Sequence, residues 1–126
     1  MAAIQKINLS PGAVTLADLR AIWSGAGVAL APEAYGKIDA AAASIARIVA
    51  SGKTVYGVNT GFGLLASTRI EKDRLAELQR NLVLSHSCGL GPDLSREVVR
   101  LTLALKVTGL ARGHSGVRRE VVDRLL

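Results

Sequence analysis

A mainly α-helical fold is expected for this chain, and three observations predict it. Apolar residues make up 49% of the 126 positions but aromatic residues only 3%, so Ala, Leu, Val and Ile must fill the interior. Apolar residues recur at three- and four-residue steps in several separate segments, the spacing of a helix face. Glycine and proline fall between those segments, where helices must stop.

The first helix is expected after Thr15, which with Asp18 resembles an N-cap and an acidic first turn. Leu16, Leu19, Ile22 and Trp23 form its short stripe, and Gly25 ends it. A second, longer helix follows Pro32, a residue favoured at the first helical position. Ile38, Ala41, Ala42, Ile45, Ile48 and Val49 give its face, and Gly52 supplies a C-terminal signal. From Lys53 to Thr68 the periodicity disappears. Asn59-Thr60-Gly61-Phe62-Gly63 is turn chemistry that needs a positive φ somewhere. Helical spacing resumes with Leu75, Leu78 and Leu82 and runs through Ser85 and His86 to Gly89, where Gly91-Pro92 break the chain. Leu94-Ser95 reads as a staple residue and N-cap for the next helix, with a stripe of Val98, Leu101, Leu105 and Thr108 ending near Gly113. Ser115 is expected to cap a last segment containing Val117, Val121, Val122 and Leu125. That segment stops at Leu126 without a capping signal, so residues 1–126 are expected to be the N-terminal segment of a longer protein, cut within a helix.

Composition limits the function classes. The formal net charge is +6, and residues 96–126 hold seven of the Lys and Arg residues against Glu97, Glu120 and Asp123. A nucleic-acid footprint would interleave such a stripe with stacking aromatics, and none follows Phe62, so a solvated or subunit-facing helix surface is the preferred reading and no nucleic-acid partner is expected. No segment approaches the run of ~18 apolar residues that a membrane span requires, and residues 1–11 carry no apolar signal core. Cys88 is the single cysteine, which excludes an intramolecular disulfide and fits a reducing compartment. A cytoplasmic protein without membrane attachment is expected.

Several short motifs fail on their own requirements. Gly52-Lys53-Thr54 imitates the end of a phosphate-binding loop, but Arg47 stands where that motif needs its first glycine, and no strand precedes it. Gly113-His114-Ser115-Gly116 imitates a nucleophile elbow, but Val117 occupies the last glycine position. His86 and Cys88 are two apart and point to different faces of a helix, and no second pair completes a metal site, so no metal is expected.

Two constellations remain. Tyr56-Gly57-Val58-Asn59-Thr60-Gly61-Phe62-Gly63 gathers two of the four aromatic residues and three of the 13 glycines into eight positions, more flexible and hydrogen-bonding residues than a simple turn uses. Its glycines let backbone N–H groups approach a ligand, and its tyrosine can act as an acid or base if neighbours lower a pKa that is normally ~10. The second is the end of the third helix. There a stripe of Leu75, Leu78 and Leu82 gives way to Asn81, Ser85, His86 and Cys88, whose polar end is expected to face inward and form a pocket wall.

The octapeptide at 56–63, followed by Gln79-Arg80-Asn81-Leu82, Leu84-Ser85-His86, Leu110-Ala111-Arg112-Gly113 and Ser115-Gly116-Val117-Arg118, strongly resembles the aromatic amino acid ammonia-lyases from about Val55 to the chain end. The Ser85-His86 pair is similar to the histidine-specific branch, whereas the phenylalanine and tyrosine branches usually carry Phe-Leu or His-Leu there. The resemblance implies the N-terminal part of a helical-bundle lyase fold with a Gly-rich active-site loop between helices. It implies non-oxidative elimination of ammonia from L-histidine to trans-urocanate, and a homotetramer whose active sites draw on more than one subunit. Tyr56 is then the catalytic acid/base, His86 lines the substrate side-chain pocket, and Gly63, Asn81 and Ser85 lie in the substrate-binding surroundings, the last two by position only.

The resemblance also implies an electrophilic methylidene-imidazolone cofactor, formed by cyclisation of an Ala-Ser-Gly tripeptide. Ala50-Ser51-Gly52 spells that tripeptide but closes a helix ahead of the Tyr56 loop, whereas the family's lies downstream of everything in this chain. The isolated 126 residues are therefore expected to be inactive. A tyrosine or phenylalanine ammonia-lyase or an aminomutase is the nearest alternative, and a stand-alone helical binding or regulatory module is the alternative of another class.

Overall fold

A computed structural model describes residues 6–126, without the side chain of Leu65. The reading of residues 1–11 as lacking a signal core therefore falls partly outside the described residues. The chain forms two compact units, one of residues up to Ser44 together with Asp93–Leu126, the other Ile45–Pro92.

The first unit opens with a β-α-β arrangement: β1 (Lys6–Leu9), α1 (Leu16–Trp23) and β2 (Gly27–Leu30). The strands pair in parallel with Lys6 opposite Gly27 and Leu9 opposite Leu30. Neither strand is expected from the sequence. Each has four residues, too few for an alternating pattern to be distinguished from a loop. The expected cap of α1 is present: Asp18 N–H donates to Thr15 Oγ1 (3.2 Å), while Thr15 N–H and Oγ1–H donate to Asp18 Oδ2 (2.9 and 2.7 Å). Those bonds, the backbone one foremost, hold the Asp18 carboxyl below its ordinary range. Of the stripe expected on α1, Ile22 is buried and Leu19 half-buried, but Leu16 and Trp23 are exposed.

The long helix α2 (Ala34–Ser51) starts two residues after Pro32, which stands in the preceding turn rather than at the first helical position. α2 contributes to both units. Its N-terminal part brings Ala34 and Ile38 into the core of the first unit, with Leu9, Ile22, Leu30, Ala104, Val107, Leu110, Ala111 and Val122. α4 (Arg96–Leu110) begins at Ser95, whose Oγ accepts from Val98 N–H at 3.4 Å. Its buried face is Ala104, Val107 and Leu110, with Leu101 half-buried, and not the stripe expected at Val98, Leu101, Leu105 and Thr108. Leu105 is exposed, Leu94 is no staple, and small Ala104 occupies the buried surface. Arg100 extends from α4 to the carbonyls of Ile22 (3.1 Å), which also accepts from Gly25 N–H, and of Ala26.

α5 (Arg119–Leu125) starts later than expected. Ser115 makes no cap, because Gly116 at φ +67° turns the backbone out of helical geometry before the helix begins at Arg119. α5 is held to α2 by Arg119, which bonds both carboxylate oxygens of Asp39 and lies 4.6 Å from the centre of the Tyr35 ring. Tyr35 in turn donates to Asp123 at 2.8 Å, a bond that pushes its phenol pKa up.

The second unit holds the end of α2, a loop from Gly52 to Glu71 and α3 (Leu75–His86). Among the described residues, no helix is long and apolar enough to cross a membrane.

Candidate functional site in the Tyr56 loop and at the end of α3

The loop begins where α2 must stop. Gly52 adopts φ +71°, Gly52 N–H reaches back to Val49 carbonyl at 3.3 Å and Ser51 Oγ donates to Ile48 carbonyl at 2.8 Å. Ala50 and Ser51 thus lie in the last helical turn, as expected, with the Gly52 nitrogen used as a helix-terminating donor. This geometry does not fit a tripeptide that cyclises through that nitrogen. Lys72 Nζ donates to Ala50 carbonyl at 3.2 Å, a cation at the negative end of the helix.

Tyr56 sits at the tip of a tight turn closed by Val58 N–H and Asn59 N–H, both donating to Val55 carbonyl at 3.1 and 3.2 Å. Gly57 in that turn adopts φ +75°, and the left-handed residue expected within 59–63 is Gly63. The return leg of the loop pairs with the outgoing leg around an antiparallel bridge between Thr60 and Arg69: Gly61 N–H donates to Thr68 carbonyl at 3.0 Å and Ile70 N–H to Asn59 carbonyl at 2.9 Å. Asn59 and Thr60 are the buried polar residues of this unit. Phe62 packs edge-on against Tyr56, ring centres 6.0 Å apart at 70°. The Tyr56 side chain is otherwise open, at 64% exposure. Gly63, at φ +57°, starts a single 3-10 turn through Leu65, and Ala66 N–H bonds back to its carbonyl at 3.1 Å.

α3 places the second group. Its apolar stripe of Leu75, Leu78 and Leu82 is half-buried, and none of its residues is fully buried. The polar end does not face inward as expected: Asn81, Ser85, His86 and Cys88 are all exposed. The reason is local. With only three apolar side chains on its buried stripe, α3 is seated along one narrow face, and Ser85 and His86 bond to the helix's own last turn instead of to a core. His86 Nδ1 lies 2.8 Å from Leu82 carbonyl and 3.0 Å from Ser85 Oγ, while Ser85 Oγ donates to the same carbonyl at 3.1 Å. A carbonyl has no proton to give, so in the neutral ring Nδ1 carries the hydrogen and Nε2 is the free acceptor. Asn81 lies one turn before Ser85 and lines a shallow pocket with Ile70, Arg74, Glu77 and Leu78.

The structure therefore brings Tyr56 to Phe62, and His86 to Ser85, within the unit that holds all five residues expected at the site. No hydrogen bond or ring contact joins Tyr56 to Asn81, Ser85 or His86 among the described residues. Asn59, expected only as part of the turn, has a larger part in the loop. Asn59 Oδ1 accepts from Val55 N–H at 2.8 Å and its Nδ2 donates to Lys53 carbonyl at 2.9 Å. The available signal is the habit of asparagine side chains to bond nearby backbone in turns, which does not reveal which backbone groups they will take.

Known proteins place this arrangement in context. The sequence pattern of the aromatic amino acid lyases, described as "aromatic amino acid lyase", matches residues 14–126. A histidine ammonia-lyase from Paracidovorax citrulli is 56% identical over 127 aligned positions, which take in 100% of this chain and 25% of that protein. Among solved structures, the histidine ammonia-lyase of Trypanosoma cruzi superposes with a TM-score of 0.86 at 42% identity, over 97% of this chain and 24% of its own. Ergothionase from Treponema denticola, an ergothioneine-degrading enzyme, superposes with a TM-score of 0.89 at 27% identity, over 96% and 24%. The chain thus spans about a quarter of the length of the curated relatives it matches. With a family pattern covering nearly its whole length and a helical fold shared with these enzymes, the chain belongs to the aromatic amino acid lyase family.

Proposed function

We propose that this chain is the N-terminal segment of a histidine ammonia-lyase, and that the complete protein eliminates ammonia from L-histidine to give trans-urocanate. The observation that carries the reading is the Ser85-His86 pair at the end of α3, where Nδ1 is committed to Leu82 carbonyl and Nε2 is left to accept a hydrogen bond from a substrate imidazole N–H. Identity of 52–56% to proteins named histidine ammonia-lyase supports it.

The elimination breaks a β-C–H bond and the Cα–N bond and forms a Cα=Cβ double bond, so a base must take the β-proton as the amine departs with the Cα–N electron pair. Tyr56 is the group assigned to proton transfer. Its phenol stands at the loop tip with no hydrogen bond to another described side chain to compete for its oxygen. Gly63 offers a backbone surface without a side chain, against which a substrate can approach closely. Asn81 and Ser85 support the substrate pocket, Ser85 by bonding to the His86 ring. A methylidene-imidazolone, formed from an Ala-Ser-Gly downstream of these residues in the complete protein, would supply the electrophile that makes the amine a leaving group. We assign the complete protein to the cytoplasm and to a tetramer whose composite sites need other segments and subunits, so the 126 residues alone are inactive.

The test is steady-state turnover by the complete protein with L-histidine, L-tyrosine and L-phenylalanine. L-Histidine should be preferred in kcat/KM, and His86→Leu should lower kcat/KM for it by about 10- to 100-fold, as loss of a hydrogen bond at the pocket would. Preference for L-tyrosine or L-phenylalanine would overturn the substrate assignment. No ammonia release from any of them, with salt-dependent retention on nucleic acid, would favour a binding module instead.

A further inference from the structure

We propose that Asn59 is a positioning residue for the reaction, fixing the turn that presents Tyr56; the inference rests on the reading of Tyr56 as the proton-transfer group. Tyr56 is exposed and its ring touches only the edge of Phe62 among the described aromatic rings, so side-chain packing does little to place its phenol. Its position must come from the backbone.

That backbone converges on Asn59, which is only 3% exposed. Its side-chain carbonyl takes the Val55 N–H (2.8 Å), its side-chain amide reaches Lys53 carbonyl (2.9 Å), and its own N–H takes Val55 carbonyl (3.2 Å). Its own carbonyl accepts from Ile70 N–H at 2.9 Å. Asn59 thus closes Val55-Tyr56-Gly57-Val58 into a ring and ties that ring to the segment before it and to the return leg after it. Thr60, equally buried, donates to Gly61 carbonyl and holds nothing on the Tyr56 side of the loop. The site needs both an acceptor and a donor on one short side chain: Asp would set an oxygen against the Lys53 carbonyl, and Ala would leave the Val55 N–H and the Lys53 carbonyl without their partner. Because proton transfer depends steeply on distance, slack in this ring should appear in the chemical step more than in substrate affinity.

The experiment is a double-mutant cycle in the complete enzyme, with Asn59→Ala, Asn59→Asp and Tyr56→Phe alone and combined. kcat, KM for L-histidine and the thermal midpoint are measured at enzyme concentrations that keep the weakest variant above background. Asn59→Ala should lower kcat by about 10- to 100-fold with KM changed by less than about threefold. In the Tyr56→Phe background the same change should cost less than about threefold, because the residue acts through a phenol that is no longer there. Asn59→Asp keeps the Val55 bond and the side-chain volume but sets an oxygen against the Lys53 carbonyl, so as an independent second variant it should also lower kcat, by a loss that again vanishes in the Tyr56→Phe background. An undiminished loss in that background, or wild-type kcat with only a lowered midpoint, would make Asn59 merely structural and overturn the inference. Wild-type turnover by Tyr56→Phe itself would instead remove the reading on which the inference rests.

Discussion

Gly113 shows how a single residue can fix the packing of the first unit. It adopts φ +80° just after α4, and a Cβ built there would stand 2.8 Å from Lys37 carbonyl and 2.9 Å from Lys37 Cβ. Gly113→Ala should destabilise the protein by about 2–4 kcal/mol, combining left-handed strain with overpacking against a backbone atom. Gly109→Ala is the control: within α4, with open space around its Cβ position, it should be neutral or stabilising by up to about 1 kcal/mol. Thermal midpoints of the two variants check this, and equal effects would refute it. At this scale the sequence is legible where chemistry is concentrated. Tyr56 and Gly63 stand out because aromatic residues and glycines crowd into eight positions, and His86 because it stands at the polar end of an apolar stripe. Asn59 does not stand out, since its role depends on which carbonyl and N–H the folded loop brings within 3 Å of it.

At the scale of elements, legibility follows the strength of the local signal. The α1 cap can be read from Thr15 and Asp18 alone, because all its partners lie within four residues. A threonine N-cap is ordinarily worth about 1 kcal/mol, so Thr15→Ala should speed amide hydrogen exchange in the first turns of α1 by about fivefold at neutral pH. The Asp18 carboxyl is held below its ordinary 3.8, so its contribution is present in full above that value and is lost as pH falls through the lower folded value. The difference between wild type and Thr15→Ala should therefore shrink in acid; a difference that grows there would contradict the cap. β1 and β2 are invisible to the same reading because their stabilising partners are each other, across an intervening helix. The face of α4 is misread because apolar residues occupy more than one side of it: the buried face runs through Leu101, Ala104, Val107 and Leu110, while Val98 and Leu105 of the expected stripe are exposed. Ser115 is misread for a converse reason: its residue type suits a cap, but Gly116 redirects the chain.

On the scale of the whole molecule, the residues proposed for the site all fall in the Ile45–Pro92 unit, whereas the large buried core lies in the other. α3 carries its polar end exposed, against the expectation that it faces inward, and Tyr56 stands at the tip of an open loop. Family membership is legible from the octapeptide and the Ser85-His86 pair, since both are dense in functional groups. How a site closes around them depends on contacts that no local pattern encodes. The role proposed for Tyr56 is proton transfer in the elimination of ammonia from L-histidine. The most direct measurement is kcat for L-histidine with the complete protein, wild type and Tyr56→Phe, alongside circular dichroism to monitor the fold. The expected result is a fall of at least about 100-fold, the scale of a lost general acid or base, with an unchanged spectrum. Wild-type-like kcat in Tyr56→Phe would contradict it.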